Sequence, residues 1–335
     1  MPDGNSPMPR HCDRIAKRRP ISVLLCLASI VAGLDKFPVA MPAFAGEPPK
    51  VVVAIRPLHG LVAGVMAGIA EPELLVAGAQ SPHHFALSPS GARQLERADL
   101  VFVAGAGLMP AIDDAIATLA RRAKIIDLSR IEGVKLLPRR DFDHAGAANR
   151  VEDHKHGHGS QSGLVDPHYW LDPINAKAMV SAVSRTLAES DPAHATTYSA
   201  MAHDMGEKLD HLKQEIEALL RPHHARRFIV FHDAYQYFEI RFGLAALGAI
   251  APAPETRPGA AHLRATRRHV IAGSRICLFG EPGAPPALLA TTARNGDART
   301  AQLDPLGREM PAGPGQYFAM MRAIAATVAE CFSRL

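Results

Sequence analysis

Residues 166–173 read Asp-Pro-His-Tyr-Trp-Leu-Asp-Pro and hold the only Trp of the chain. Two predicted helices follow with almost no gap. The second begins at Asp191-Pro192, because an acidic N-cap before a Pro is a typical helix start. Apolar residues then continue at helical spacing as far as Pro222: Leu209, Leu212, Ile216 and Leu220. A helix of roughly 30 residues is about 45 Å long, and this length suits a brace between two lobes better than an element of one lobe.

Short apolar strands alternate with helices on both sides of this brace. Residues 50–55, for example, form a continuous apolar run of the kind that is buried on both faces of a parallel sheet. We therefore predict an α/β protein with two doubly wound parallel-sheet lobes joined by a long rigid backbone helix. The predicted N-terminal lobe covers residues 46–188, the backbone helix 189–222 and the C-terminal lobe 223–335.

The first 45 residues have the features of a cleaved export signal. A basic cluster, Lys17-Arg18-Arg19, precedes an apolar run over 21–34 that is short for a membrane span. Ala43-Phe44-Ala45 has the small-x-small form of a cleavage site. An uncleaved membrane anchor is the alternative, and the short apolar run counts against it. We therefore predict a periplasmic protein with a mature start near Gly46.

The net charge gives no support to nucleic-acid binding. The chain has 37 basic and 33 acidic residues, of which residues 1–45 hold six and three. The remainder carries 31 basic and 30 acidic residues, a net charge of +1. A nucleic-acid surface would need a basic excess.

The number of cysteines left after the leader is consistent with export. Cys12 and Cys26 lie in the leader, so Cys277 and Cys331 remain as an even pair. An oxidising compartment favours a disulfide between them, and two buried free thiols are the alternative. In the chain-entropy model such a bond contributes about 4 kcal/mol to stability.

A polar segment over 141–165 interrupts the alternation of strands and helices. It contains four histidines among Asp, Gly and Ser: His144, His154, His156 and His158. Its composition predicts a mobile loop. The loop is either a solvated linker or a segment that gathers zinc weakly, and the sequence favours neither.

Four potential metal ligands are predicted to converge between the lobes. His83 follows the second strand, His232 ends the first strand of the second lobe, and Asp304 follows the last strand, while His168 precedes the brace. Ligands of open α/β sheets bind beyond the carboxyl ends of the strands, and three imidazoles with one carboxylate suit tetrahedral zinc. His59 is interpreted as a packing residue. Glu281 is either a neighbour of the metal site or an ordinary exposed acid.

Together these stretches resemble the periplasmic zinc-binding component of bacterial zinc-uptake ABC transporters, within the metal receptors that have a helical backbone. The resemblance runs from about Val51 to Cys331. It is carried by Arg56-Pro57-Leu58-His59, Ser81-Pro82-His83, Leu87-Ser88-Pro89-Ser90, the stretch 166–173, Phe231-His232-Asp233-Ala234-Tyr235, Pro258-Gly259-Ala260 and Leu303-Asp304-Pro305-Leu306-Gly307.

The resemblance implies a function and a set of site residues. It implies high-affinity capture of Zn²⁺ and delivery to an ABC transporter membrane permease. It assigns metal ligands to His83, His168 and His232, with Asp304 or water as the fourth, and a disulfide to Cys277 and Cys331. We expect a monomer that binds no nucleic acid. The family usually has an acid at the position of His84, and Gly283-Ala284 replaces a commoner Gln-Phe.

Other functions fit less well. A manganese or iron receptor of the same family is the nearest alternative. A zinc hydrolase would also use three protein ligands and an open position, but the sequence has no His-Glu-x-x-His helix and no evident general base. A third interpretation is a surface adhesin or a metal buffer, and the absence of a lipid-anchor motif argues against the adhesin. Since zinc needs neutral imidazoles, its affinity is expected to fall as the pH drops.

Overall fold

The computed structural model describes residues 46–78, 81–140, 142, 165–251, 258–272, 275–294 and 296–335. The first sheet is fully parallel, with strand order β2-β1-β3-β4. Its strands are β1 (Val51–Val53), β2 (Glu73–Leu74), β3 (Leu100–Val103) and β4 (Lys124–Asp127), and its helices are α1 (Arg56–Val65), α2 (Pro89–Arg97) and α3 (Pro110–Leu119). β1 and β3 are buried along their whole length, as their apolar sequences predict.

The helices α4 (Pro173–Ser190) and α5 (Ala195–Leu220) follow the stretch 166–173. They pack against each other. Helical structure begins at Pro192, as predicted, with a 3₁₀ turn over Pro192–His194 that leads into α5. The predicted capping role of Asp191 was wrong, because its carboxylate instead accepts hydrogen bonds from His194 Nδ1 (2.7 Å) and the Tyr198 hydroxyl (2.9 Å). With 26 residues, α5 is about 39 Å long.

The second sheet repeats the topology of the first. It is parallel, with strand order β6-β5-β7-β8. Its strands are β5 (Arg227–Val230), β6 (Ala245–Ala249), β7 (Ile276–Gly280) and β8 (Ala298–Gln302), and its helices are α6 (Gln236–Phe242), α7 (Ala260–Ala272), α8 (Pro286–Ala293) and α9 (Gln316–Ser333). The prediction of two doubly wound parallel-sheet lobes with a long backbone helix is confirmed.

The stretch 166–173 contacts both halves of the fold. The Tyr169 hydroxyl donates to the carbonyl of Ala104 beyond β3 (2.7 Å), and Trp170 Nε1 donates to the carbonyl of Pro305 beyond β8 (2.9 Å). The Tyr317 hydroxyl of α9 donates to the Trp170 carbonyl (2.8 Å). Since Tyr169, Trp170 and Tyr317 are fully buried, these bonds are protected from water and fix the entrance to α4 relative to both sheets.

Helices from both halves also pack directly on α5. α1 and α9 contact each other and α5. Gly64 of α1 lies so close to Met205 of α5 that a Cβ at this glycine would come within 2.5 Å of the Met205 sulfur. At the other end of the interface, Arg241 of α6 pairs with Asp172, whose Oδ1 also caps α4 at the Ile174 amide. This close packing is typical of a rigid frame rather than a wide hinge.

Cys277 of β7 and Cys331 of α9 form a disulfide, with 6.2 Å between their Cα atoms. The bond joins the last helix to the centre of the second sheet, and the prediction of this pair is confirmed. Among the described residues, no helix combines the length and apolar character needed to cross a membrane. The predicted signal peptide and the four histidines of the polar segment lie outside the described residues.

Candidate metal site

Three histidines come together where the strands of both sheets end. His83 lies in a 3₁₀ turn, Pro82–His84, in the connection that follows β2. His232 comes two residues after β5, and His168 immediately precedes the 3₁₀ turn Tyr169–Leu171. These positions lie beyond the carboxyl ends of parallel strands or at the entrance to α4, as the sequence predicts.

The three imidazoles are spaced as metal ligands are. One ring nitrogen from each of His83, His168 and His232 lies within 4.8 Å of the others. Nε2 of His168 and Nε2 of His232 are 3.4 Å apart. Two nitrogens bound tetrahedrally to zinc at about 2.0–2.1 Å would be separated by about 3.3–3.4 Å. This pair is therefore already at ligand spacing.

The His168 ring is oriented by Asp166. Its Nδ1 lies 2.7 Å from Asp166 Oδ1, which also accepts the backbone N–H of His168 at 3.0 Å. The carboxylate thus holds the hydrogen on Nδ1 and directs Nε2 towards the other histidines. The Trp170 ring packs edge-on against the same imidazole, with 5.3 Å between ring centroids. His168 is 4% exposed, so its rotation is restricted on all sides.

Glu281 orients His232 in the same way. Glu281 follows β7, and its Oε2 lies 2.6 Å from His232 Nδ1. Both side chains are buried, so the interpretation of Glu281 as an exposed acid was wrong, and its interpretation as a neighbour of the metal site is supported. Two of the three imidazoles therefore have a carboxylate on the nitrogen that faces away from the cluster. Such partners fix the tautomer and increase the basicity of a metal-binding histidine.

The surroundings of His168 and His232 shift their pKa values in opposite directions. Burial, and then the charges of His232 and Arg139, hold the pKa of His168 well below its ordinary value. Burial opposes protonation of His232 most strongly of all, but the charge and hydrogen bond of Glu281, together with the charges of Asp233 and Asp166, raise its pKa overall. Burial raises the pKa of Asp166 to about 7. Of these two imidazoles, His232 therefore holds a proton more readily than His168, and a cation entering the cluster would displace that proton.

The structure does not bring Asp304 into this group. The residue follows β8 as predicted, but its Oδ1 accepts the amide of Leu306 at 3.0 Å and its Oδ2 accepts the amide of Arg308. The cause is a turn over 304–307, in which Gly307 has a φ of 61°. Both carboxylate oxygens thus stabilise the turn, and the described cluster consists of the three histidines.

Two other histidine predictions have different outcomes. His59 is buried in α1, and its Nε2 donates to the carbonyl of Pro72 at 2.8 Å, as suits a packing residue. Burial lowers its pKa. The segment with His144, His154, His156 and His158 lies outside the described residues, so its role stays a prediction.

The role of Asp166 in orienting the His168 ring was not predicted from the sequence. A possible signal was its spacing, since an acid two residues before a metal-binding histidine can reach both the amide and the ring of that histidine. The pairing of Glu281 with His232 had no such signal, because the two residues are 49 positions apart.

Comparison with known proteins gives consistent matches along most of the chain. The model of a family described as "Zinc-uptake complex component A periplasmic" matches residues 51–331. The high-affinity zinc uptake system protein ZnuA of Brucella suis is 39% identical over 320 residues, covering 87% of this chain and 94% of the relative. The protein of the same description from Paracoccus denitrificans is 32% identical over 333 residues, covering 93% and 98%.

Solved structures share the fold. A ZnuA crystal structure superposes with a TM-score of 0.72 at 23% identity, covering 85% of this chain and 99% of that chain. The substrate-binding protein FpvC of Pseudomonas aeruginosa in complex with Mn²⁺ has a TM-score of 0.71 at 22% identity, covering 86% and 99%. At these identities the two structures support the architecture alone.

Proposed function

Because the chain belongs to the family of periplasmic component A proteins of the zinc-uptake complex, we propose that it captures Zn²⁺ and delivers the ion to an ABC importer. The observation that carries this proposal is the convergence of His83, His168 and His232 within 4.8 Å. Zinc is the cargo of this site rather than a permanent cofactor.

The three histidines form the proposed ligand set. Imidazole nitrogen favours zinc over the harder ions manganese and magnesium, which prefer oxygen. Three protein ligands leave one tetrahedral position for water or a carboxylate. Both oxygens of Asp304 accept backbone amides, of Leu306 and Arg308, and the described cluster contains the three histidines without it, which favours water as the fourth ligand.

The fold is suited to binding and release rather than to catalysis. The family consists of substrate-binding receptors, so the chain is a receptor and not an enzyme. Asp166 and Glu281 lie beside the site, but each is hydrogen-bonded to a histidine Nδ1, which disfavours either as the general base of a hydrolase. A manganese or iron receptor is the remaining alternative, and the all-imidazole cluster argues against it.

We further propose that residues 1–45 act as a cleaved signal peptide that directs the chain to the periplasm. The mature protein is a monomer that presents its two lobes, 46–188 and 223–335, to the membrane permease, with 189–222 as the brace between them. The shared topology of the two sheets and the packing of α1 and α9 on α5 support this division.

Calorimetry on the chain from residue 46, with bound metal removed first, tests the function. We expect one tight zinc site in the wild type and a loss of at least 100-fold in affinity for His168→Ala, which removes a buried ligand. His211→Ala is the control, because this histidine is exposed on α5. Unchanged zinc affinity of His168→Ala, or no tight site in the wild type, would refute the proposal.

Deletion of residues 144–158 tests the role of the polar segment separately. The three clustered histidines lie outside this range, so the tight site is expected to survive while any weaker additional zinc binding disappears. The comparison is a calorimetric titration of the deletion variant against the full mature chain. Loss of the tight site would mean that the segment supplies a ligand.

A further inference from the structure

Arg140 joins two carboxylates that lie behind the metal cluster. Its Nε and Nη2 donate to Asp233 at distances of 2.7–3.1 Å. Its Nη1 and Nη2 donate to Glu239, at 2.9 Å and 2.5 Å. Glu239 is almost completely buried and Asp233 is largely so. One guanidinium is therefore shared between two acids in the interior.

These acids support the His232 side of the cluster. Asp233 directly follows His232 in the chain, and Glu239 lies on α6, where its Oε2 also accepts the amide of Ala246 in β6 (2.8 Å). The Arg140 guanidinium thereby ties the loop that carries His232 to α6 and β6. The planar fork of arginine fixes direction as well as distance.

The residues just before Arg140 support the His168 side. The Leu137 carbonyl accepts the Asp166 amide (2.9 Å), and Pro138 forms an antiparallel bridge with Val165. The Tyr237 hydroxyl accepts the Leu137 amide and donates to the Asp166 carbonyl, both at 2.8 Å. Asp166 is the carboxylate that orients the His168 ring. The segment 137–140 is thus bonded to the supports of two different ligands.

We infer that Arg140 is a positioning residue for the zinc site, and this inference rests on the function proposed above. Through Asp233 at one end and through Leu137 and Asp166 at the other, the segment 137–140 holds His232 and His168 at ligand spacing before metal arrives. Removing one partner of a buried ion pair also destabilises the fold. The geometry of the site must therefore be measured separately from stability.

The test compares Arg140→Lys and Arg140→Met with matched changes at Arg241. Arg241 is a close control, because it also makes a two-point contact with an acid across the lobes and has a similar exposure, 30% against 23% for Arg140. Its partner Asp172 caps α4 and does not support a ligand ring. Arg140→Lys keeps the positive charge but loses the planar guanidinium that bonds both acids. This variant therefore decides the test if Arg140→Met does not fold.

Three measurements are made on each variant: zinc affinity by competition, the visible spectrum of the Co²⁺-loaded protein, and the Tm of the metal-free protein. We expect both Arg140 variants to lose about 10- to 100-fold in zinc affinity, the usual effect of losing an outer support of a metal ligand, with a changed cobalt spectrum. The Arg241 variants should lower Tm with near wild-type affinity and spectrum.

Equal zinc affinity and equal cobalt spectra in the Arg140 and Arg241 variants would overturn the inference. The inference would also be wrong if zinc affinity decreased in proportion to the Tm of the metal-free protein across all variants. The Arg140 contact would then affect the site only through the stability of the fold. Absence of tight zinc binding by the wild type is a different result, because it would refute the proposed function itself.

Discussion

The substitution Glu281→Gln isolates the contribution of one carboxylate to zinc affinity. Glu281 is 7% exposed, and its Oε2 lies 2.6 Å from Nδ1 of His232. Glutamine has nearly the same shape and keeps a carbonyl oxygen that can accept the Nδ1 hydrogen, but it carries no charge. The change therefore preserves the orientation of the ring and removes the electrostatic support.

The expected magnitude follows from the two kinds of hydrogen bond. A bond to a charged group contributes about 1.5–3 kcal/mol and a neutral one about 0.5–1.5 kcal/mol. The difference of about 1–1.5 kcal/mol corresponds to a 5- to 13-fold weaker zinc affinity, since 1.4 kcal/mol is a factor of ten. Glu281→Ala also removes the orientation of the ring, so its loss should reach about 10- to 100-fold.

The assay is a competition titration against a chromophoric zinc chelator at fixed pH and ionic strength. Glu309→Gln is the control, because Glu309 is an exposed acid of the same lobe and reports the effect of one lost negative charge without a contact to the site. Zinc affinities of Glu281→Gln and Glu281→Ala within twofold of the wild type would refute the reasoning. In that case either His232 is not a ligand or its ring is held by other contacts.

Three further predictions concern selectivity, pH dependence and covalent stability. His232→Glu should weaken zinc binding and reduce the ratio of zinc affinity to manganese affinity, because it replaces a nitrogen ligand by oxygen. Equal zinc affinity of the variant and the wild type in a two-metal competition titration would remove His232 from the ligand set. Burial lowers the pKa of His59 in the folded state. As the pH drops below about 6.5, the unfolded state therefore binds a proton at His59 before the folded state does, and the free energy of unfolding falls by at most about 1.4 kcal/mol per pH unit. His59→Gln should therefore reduce the loss of unfolding free energy between pH 7.5 and 5.5 relative to the control His211→Gln, and identical losses would contradict this. Replacing Cys277 and Cys331 by Ser should lower the free energy of unfolding by about 4 kcal/mol, and denaturant unfolding that differs by less than 1 kcal/mol would show that the bond contributes little.

Local sequence patterns were enough to predict the architecture and the convergence of the three histidines. Continuous apolar runs between helical periods predict buried parallel strands, and β1 lies within the predicted run 50–55. Parallel strands place their carboxyl ends at one edge of the sheet. His232 follows β5 by two residues and is therefore placed at that edge, whereas His83 reaches it through the longer connection after β2.

The polar groups that orient these histidines could not be predicted from the sequence, because they depend on how the chain packs. Glu281 reaches His232 because β5 and β7 are neighbours in the sheet, and Arg140 meets Asp233 across 93 positions of the chain. Asp304 has the right place in the sequence, but two nearby amides bind both of its oxygens. Strand and helix formation depends on residues close in sequence, whereas a buried carboxylate or guanidinium binds whichever partners the packed chain brings within hydrogen-bond distance.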